Sequence, residues 1–436
     1  MSQSITCCQI IPPYLLEKVA SAGTLELDRR LRAQRAAAGP STALPQRTPG
    51  VPFVIDSDHN GTDLPGEPVR AAGAPPTGDQ AVDEAYAGVA GTLALYSEVY
   101  GRDSYDGKGA QVVTTVHYDG GYDNAFWDGT QLVIGDGDGT VFERFTIAVD
   151  VLGHELSHAL TQFTANLTYQ GQSGALNESV SDVFGSCLKQ RLAGQSAEQA
   201  DWLIGEGIFR PGIAGRALRS MRDPGTAYDD PALGKDPQIA TMADYIDTAE
   251  DNGGVHTNSG IPNRAFYLAA TAMGGTSWDG AGKIWYTALT SGLSADTDFA
   301  GFAAATLAAA AAVSPDAEAA VTAAWTGVGV TPLAGSTTSS PVASGEGPAT
   351  RTVSVTRTGG LAGLRRSGEL TLGGDDPRTP QVESLLERID FAGVAAPQPQ
   401  PDRFVYTFEV DGDRTEVGEQ DLSPELHRLA TLVLTD

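Results

Sequence analysis

The sequence has little cysteine, no long apolar run and few cations. Three cysteines occur in 436 residues, two of them adjacent as Cys7 and Cys8, which excludes a disulfide framework as the source of stability. No stretch reaches the roughly 20 apolar residues that a membrane-spanning helix needs, and the alanine-rich run 299–313 reads instead as a packed helix. Lys and Arg number 28 against 55 Asp and Glu, a formal charge of −27 with a pI near 4.4. Such a surface repels phosphate backbones and anionic lipid, so neither nucleic acid nor membrane is an expected partner. Residues 1–13 lack the basic n-region and continuous apolar core of a standard signal peptide. The expected location is therefore the cytoplasm, or outside the cell by a route without that signal. What is present is 41% hydrophobic residues, enough for real cores in a chain long enough for two or three units.

The chemistry concentrates in His154-Glu155-Leu156-Ser157-His158. On a helix, His154 and His158 project from one face, so their imidazoles can converge on one metal ion with Glu155 beside them. Imidazole suits zinc, and a hydrolytic zinc site takes three protein ligands and leaves a fourth position for water. Residues 174–185 read as a second helix, on which Glu178 and Asp182 share a face. Glu178 can supply the third ligand. Asp182 can accept a hydrogen bond from the outer nitrogen of a ligand histidine, and Asn177 can do the same for the other.

With Asn124-Ala125-Phe126-Trp127, Gly135-Asp136-Gly137-Asp138-Gly139, Ala217-Leu218-Arg219-Ser220-Met221 and the run 251–260 around His256, these segments resemble the thermolysin family of zinc metalloproteases across residues 52–332. The resemblance implies an α+β fold of two lobes, β-rich over 51–160 and α-helical over 161–332, with zinc in the cleft between them. It implies hydrolysis of peptide bonds in protein or peptide substrates, ahead of bulky hydrophobic residues. Zinc would sit on His154, His158 and Glu178, with Glu155 as general base and Asp182 and Asn177 behind the histidines. His256, held by Asp251, and Tyr169 would stabilise the oxyanion. Asn124 and the backbone of Ala125 would hold the substrate main chain as an added strand. Phe142, Phe145, Val151, Ile204, Ile208 and Leu218 would line the side-chain pocket. Arg219 would position a substrate carbonyl or form a purely structural ion pair. Locally, a strand is expected at 112–118, an edge strand at 121–129, a long helix at 142–160 and His256 in a glycine-rich loop; few helical runs are expected between 51 and 149.

One departure from the family concerns calcium. Its paired calcium site corresponds to Asp150, Lys189, Asp201, Leu203 and Glu206, and Lys189 and Leu203 are not carboxylates. Calcium needs six to eight oxygens, so Lys189 is expected to form ion pairs with Asp150, Asp201 or Glu206 in its place.

Residues 12–39 begin Pro12-Pro13-Tyr14-Leu15-Leu16 and continue as a charged helical pattern, and 38–50 is a breaker-rich stretch with the composition of a cleavable linker. The Pro-Pro-Tyr-x-Leu motif resembles the short propeptides of the protealysin-like branch. Residues 1–50 are thus expected to be an inhibitory propeptide and linker, with Cys7 or Cys8 able to place a thiolate on zinc. After a Ser/Thr/Gly/Pro-rich linker at 333–349, residues 350–436 read as a ββαββα module: hairpins near 352–372 and 404–415, helices at 380–389 and 422–433. Its Val355-x-Arg357-Thr358-Gly359-Gly360-x-Ala362-Gly363 run resembles emfourin, a small proteinaceous inhibitor, and implies a fused regulatory domain. The rival reading is a regulatory or binding protein whose peptidase domain is held shut by that module. A monomer is expected.

Overall fold

In the computed structural model, residues 9–19, 24–27 and 50–333 are described, followed by 352–359, 364–372, 378–386, 389, 404–410, 413–418 and 422–434. The chain folds as two compact units, Ser2–Thr337 and Thr338–Asp436.

The larger unit opens with a short helix, α1 (Pro13–Val19), whose Leu15 and Leu16 are buried. Five strands follow: β1 (Phe53–Ser57), β2 (Glu67–Ala71), β3 (Val112–Val116), β4 (Ala125–Trp127) and β5 (Leu132–Ile134), in the order β2-β1-β3-β5-β4. β3 shows no apolar alternation because every one of its side chains is buried. β4 pairs antiparallel with β5 and stands at the sheet edge. It is shorter than the expected 121–129.

Two expectations about helices are corrected. α2 (Gln80–Ala94) runs through a region expected to hold few helical runs, and it continues into a π turn, Leu95–Val99. Asp79 caps it, accepting from the amides of Ala81 and Val82, and Ala81, Val82, Ala85 and Val89 form its buried stripe. The helix expected over 142–160 begins only at Val149: α3 is Val149–Gln162. The Asp138 carboxylate accepts from the amides of Thr140, Val141 and Phe142, and Phe142 bridges to Phe209. These bonds hold the preceding segment in a turn before a 3₁₀ turn at Phe145–Ile147.

α4 (Gly171–Ala193) lies against α3, and two glycines set the distance between them. A Cβ on Gly185 would lie 2.5 Å from the Asp150 carbonyl oxygen, and one on Gly153 would lie 3.0 Å from the Gly185 Cα. Only bare backbone on both sides lets the helices approach this closely, which brings Glu178 to the two histidines. Beyond α4, two short antiparallel pairs follow: β6 (Leu203–Ile204) with β7 (Arg219–Ser220), and β8 (Asp229–Asp230) with β9 (Gly234–Lys235). The remaining helices are α5 (Asp251–Asn258), α6 (Gly260–Met273), α7 (Ala281–Leu289), α8 (Phe299–Ala311) and α9 (Pro315–Gly327). α8 is the alanine-rich helix expected at 299–313, capped by Asp298. Trp285 stacks on Trp325 in the core of this lobe. Among the described residues no helix is long and apolar enough to cross a membrane.

The smaller unit has a four-stranded antiparallel sheet, β10 (Thr352–Gly359), β11 (Leu364–Thr371), β12 (Phe404–Val410) and β13 (Asp413–Gly418), in the order β11-β10-β12-β13. The helices α10 (Thr379–Leu386) and α11 (Pro424–Leu434) complete it, around Val353, Val355, Val382, Phe408, Leu426 and Leu429.

Candidate active site

α3 carries His154, Glu155 and His158, all buried, and α4 carries Glu178 opposite them. One donor atom from each of His154, His158 and Glu178 lies within 4.8 Å of the others. His154 Nδ1 is 2.7 Å from Asp182 Oδ1, and His158 Nδ1 is 2.9 Å from Asn177 Oδ1, whose amide nitrogen is committed to the Leu167 carbonyl. Carboxylate and amide oxygens only accept, so both rings place a proton on Nδ1 and turn Nε2 inward. Those two Nε2 atoms are 3.0 Å apart, and Glu178 Oε2 lies 3.5 Å from the nearer one. Glu178 Oε2 is buried and, among the described residues, has no hydrogen-bond partner. Two inward ring nitrogens beside a buried carboxylate make a group that a cation between them would satisfy. The donor set, two nitrogens and a carboxylate, fits zinc.

Burial, reinforced by His154, presses the pKa of His158 down to about 3, so it is neutral as a ligand must be. Burial works against ionisation of Glu178, yet the charged His256, with Arg219 adding to it, outweighs it and holds the carboxyl below its usual range. Asp182 is likewise held low despite burial, by Arg219 and His154.

Asp182 does more than orient His154. Arg219 donates to it through Nε, at 2.8 Å, and Nη2, at 2.7 Å, and Asn263 through Nδ2, at 2.8 Å. The third Arg219 nitrogen, Nη1, points into the cleft and donates to the Ile10 carbonyl at 3.0 Å. Arg219 is thus ion-paired with Asp182 and also holds a carbonyl of the chain's own segment in the cleft.

His256 lies on a helical turn, not in the open loop expected. Asp251, Asn252, Gly253 and Gly254 are all in the left-handed region, with φ from 48° to 84°. At Gly253 a Cβ would also meet the Gly171 backbone at 2.8 Å. This reversal lets the Asp251 carboxylate accept from both the His256 amide, at 3.0 Å, and its Nδ1, at 2.7 Å. Burial opposes charging of the ring, but Asp251 and Glu178 outweigh it and lift the pKa to about 9. His256 Nε2 then faces the cleft, 3.3 Å from the Tyr169 hydroxyl, which itself donates to Glu178 Oε1 at 2.5 Å.

On the other wall, the Trp127 amide donates to Glu155 Oε2 at 3.0 Å, which fixes the carboxylate beside the histidines. Asn124 and Ala125 lie at the edge of β4. Phe142, Phe145, Val151, Ile204, Ile208 and Leu218 are all buried in one contiguous core. Lys189 Nζ lies 2.8 Å from Asp201, 3.2 Å from Glu206 and 3.7 Å from Asp150, and 3.4 Å from the Leu203 carbonyl oxygen. Sequence reasoning did not single out Asn263, Ser181, whose hydroxyl is 3.1 Å from His158 Nδ1, or Gln238, which holds the His256 carbonyl. No local pattern marks Asn263 and Gln238, which reach the site from other elements, whereas Ser181 lies on α4 one turn beyond Asn177.

The cleft is occupied by the chain itself. Gln9 bridges antiparallel to Phe126, the Ile10 amide donates to the Ala125 carbonyl at 3.2 Å, and Ile11 exchanges hydrogen bonds with the Asn124 side chain. Cys7 and Cys8 lie outside the described residues.

Comparison with known proteins agrees with this geometry. Residues 66–162 match the family described as thermolysin metallopeptidase, catalytic domain, and residues 165–330 match its alpha-helical domain. Residues 355–434 match the family described as emfourin. An extracellular metalloprotease of Pectobacterium carotovorum subsp. carotovorum is 50% identical over 294 residues, 65% of this chain and 84% of that one. Protease PrtS of a Photorhabdus strain is 53% identical over 247 residues, 56% and 67% of the two chains. The solved precursor of protealysin, a metalloproteinase from Serratia proteamaculans, superposes with a TM-score of 0.67 at 48% identity, covering 74% of this chain and 99% of that one.

Proposed function

Because the chain belongs to the thermolysin family and is a zinc-dependent metalloendopeptidase, we propose that His154, His158 and Glu178 hold the zinc and that cleavage falls before bulky hydrophobic residues. The observation that carries this reading is the convergence of the two Nε2 atoms, 3.0 Å apart, with the buried Glu178 carboxylate. Zinc bound there supplies Lewis acidity, acidifying water and polarising the scissile carbonyl. Glu155 takes the proton of the attacking water and later delivers it to the leaving amine. His256, kept protonated by Asp251, and Tyr169 donate to the oxygen on which negative charge develops. Asn124 and the Ala125 backbone hold the substrate as an added strand, Arg219 anchors the carbonyl beyond the cut, and the apolar pocket from Phe142 to Leu218 receives the side chain there.

Residues 1–50 act as an inhibitory propeptide, a reading supported by Gln9–Ile11 lying in the cleft. The emfourin-like domain is a regulatory inhibitor module, and Lys189 takes the place of calcium. The enzyme works in the cytoplasm or, as the name of its Pectobacterium relative suggests, after export. Hydrolysis of a leucine-containing peptide by residues 51–335 and by the full chain tests the reading. The shorter form should be the faster, and Glu155→Gln in it should keep zinc while turnover falls by at least about 10²-fold. Retained turnover would remove Glu155 as the base, and equal rates for the two forms would remove the inhibition.

A further inference from the structure

The fully buried Asp182 carboxylate receives four donors, two on each oxygen. His154 Nδ1 and Arg219 Nη2 meet Oδ1, both at 2.7 Å, and Arg219 Nε and Asn263 Nδ2 meet Oδ2, both at 2.8 Å. Three of these donors belong to the proposed zinc ligand and the proposed peptide anchor. The fourth comes from Asn263, itself fully buried, whose Oδ1 has no partner among the described residues. An orphaned buried oxygen costs stability that an apolar side chain of the same volume would not. What the amide offers in return is its donor, and that donor serves Asp182.

Asn263 is placed by the same stretch of helix that carries His256. Only Ser259 separates α5 from α6, the Ser259 amide donates to the Val255 carbonyl at 3.1 Å, and the Asn263 amide donates to the Ser259 carbonyl at 3.0 Å. Gln238 Nε2 ties the His256 carbonyl at 3.0 Å and Ser259 Oγ at 3.1 Å. A Cβ on Gly260 would collide with the Ile239 carbonyl oxygen, so bare backbone is what seats the start of α6 there. His256 and Asn263 thus stand at two ends of one fixed piece, the first facing the oxyanion position and the second facing Asp182.

We propose that Asn263 is a positioning residue which, by fixing the Asp182 carboxylate against the helix of His256, sets the His154 ring and the Arg219 fork in register with the oxyanion donor. Without the Nδ2 donor, Oδ2 keeps only Arg219 Nε, and the carboxylate is free to turn, carrying the His154 and Arg219 contacts with it. His256 keeps its own ties to Asp251 and Gln238. The expected signature is a loss of zinc and peptide affinity with the chemical step little changed.

The proposal rests on the zinc-peptidase reading, and its test separates the two. The background is the full chain with Ile10→Asp and Ile11→Asp, which empties the cleft because both isoleucines are fully buried and aspartate is costly there. Asn263→Leu in that background keeps the side-chain volume and removes the donor. Competitive titration should show zinc bound about tenfold more weakly. At saturating zinc, KM for a leucine-containing peptide should rise about tenfold while kcat stays within about threefold. If near-UV circular dichroism shows that Asn263→Leu does not fold, Asn263→Ala, which overpacks nothing, is read in the same way. Unmoved zinc affinity and KM, or a fall in kcat alone, would overturn the role of Asn263 and leave the peptidase reading standing. If the background chain binds zinc but hydrolyses no peptide, the peptidase reading falls and the zinc titration alone decides Asn263. If it binds no zinc, both fall.

Discussion

Asp182 joins two duties that are usually discussed apart. It fixes the Nδ1 proton of His154 and anchors the Arg219 fork that reaches the peptide. Asp182→Asn removes the charge from both, so zinc affinity should fall about 10- to 100-fold and KM for peptides should rise; competitive zinc titration and steady-state kinetics read the two effects. The His154 partnership was legible because Glu178 and Asp182 are one turn apart on a helix. The Asn263 contribution was not, since α6 is distant in sequence and nothing near Asn263 marks it. A second residue-scale prediction concerns His117, held between Asp136 Oδ2 at 2.6 Å and Asp79 Oδ2 at 3.1 Å. Its hydrogen bond to Asp136 lifts the pKa to about 8 against the opposing effect of burial. A raised folded pKa stabilises fully below the unfolded value near 6.5 and is lost as pH rises through about 8. After allowance for solvent screening the contribution is about 1 kcal/mol. His117→Gln should flatten urea-denaturation stability between pH 6 and 8.5, and an unchanged slope would show the pair to be inert.

Among the elements, α3 and α4 were legible from side-chain periodicity and α8 from its alanine content. α2 was overlooked although Asp79 and the spacing of Ala81, Val82, Ala85 and Val89 announce it, because glycines and short side chains weaken its apolar stripe. The start of α3 was misplaced for a different reason. Residues 142–148 are apolar enough for a helix, but the Asp138 carboxylate and the bridge to Phe209 claim their backbone first. Lys189 ties α4 to the segment 201–206, and there the sequence expectation and the ion pairs coincide. Lys189→Ala leaves Asp150, Asp201 and Glu206 to repel one another and should cost about 2 kcal/mol. Millimolar calcium should recover part of that in the variant and leave the unaltered chain unmoved in thermal denaturation. Stabilisation of the unaltered chain by calcium would show that Lys189 does not replace the ion.

At the scale of the whole molecule, what the sequence could not reveal is which residues fill the cleft. Pairing of residue 10 with strand β4 spans more than a hundred positions, and only the folded arrangement of Ala125, Asn124, Arg219 and His256 gives the segment its register. The motif Pro-Pro-Tyr-x-Leu led to the expectation of an inhibitory segment; it did not say that Gln9–Ile11 would lie at the site. All of the proposed chemistry depends on a metal held between α3 and α4. The most direct measurement is the zinc K-edge absorption spectrum of residues 51–335, a form without Cys7 and Cys8. One zinc per chain is expected, with two imidazole nitrogens at about 2.0–2.1 Å and oxygen for the remaining ligands. A chain that retains no zinc, or a spectrum without paired imidazoles, would contradict it.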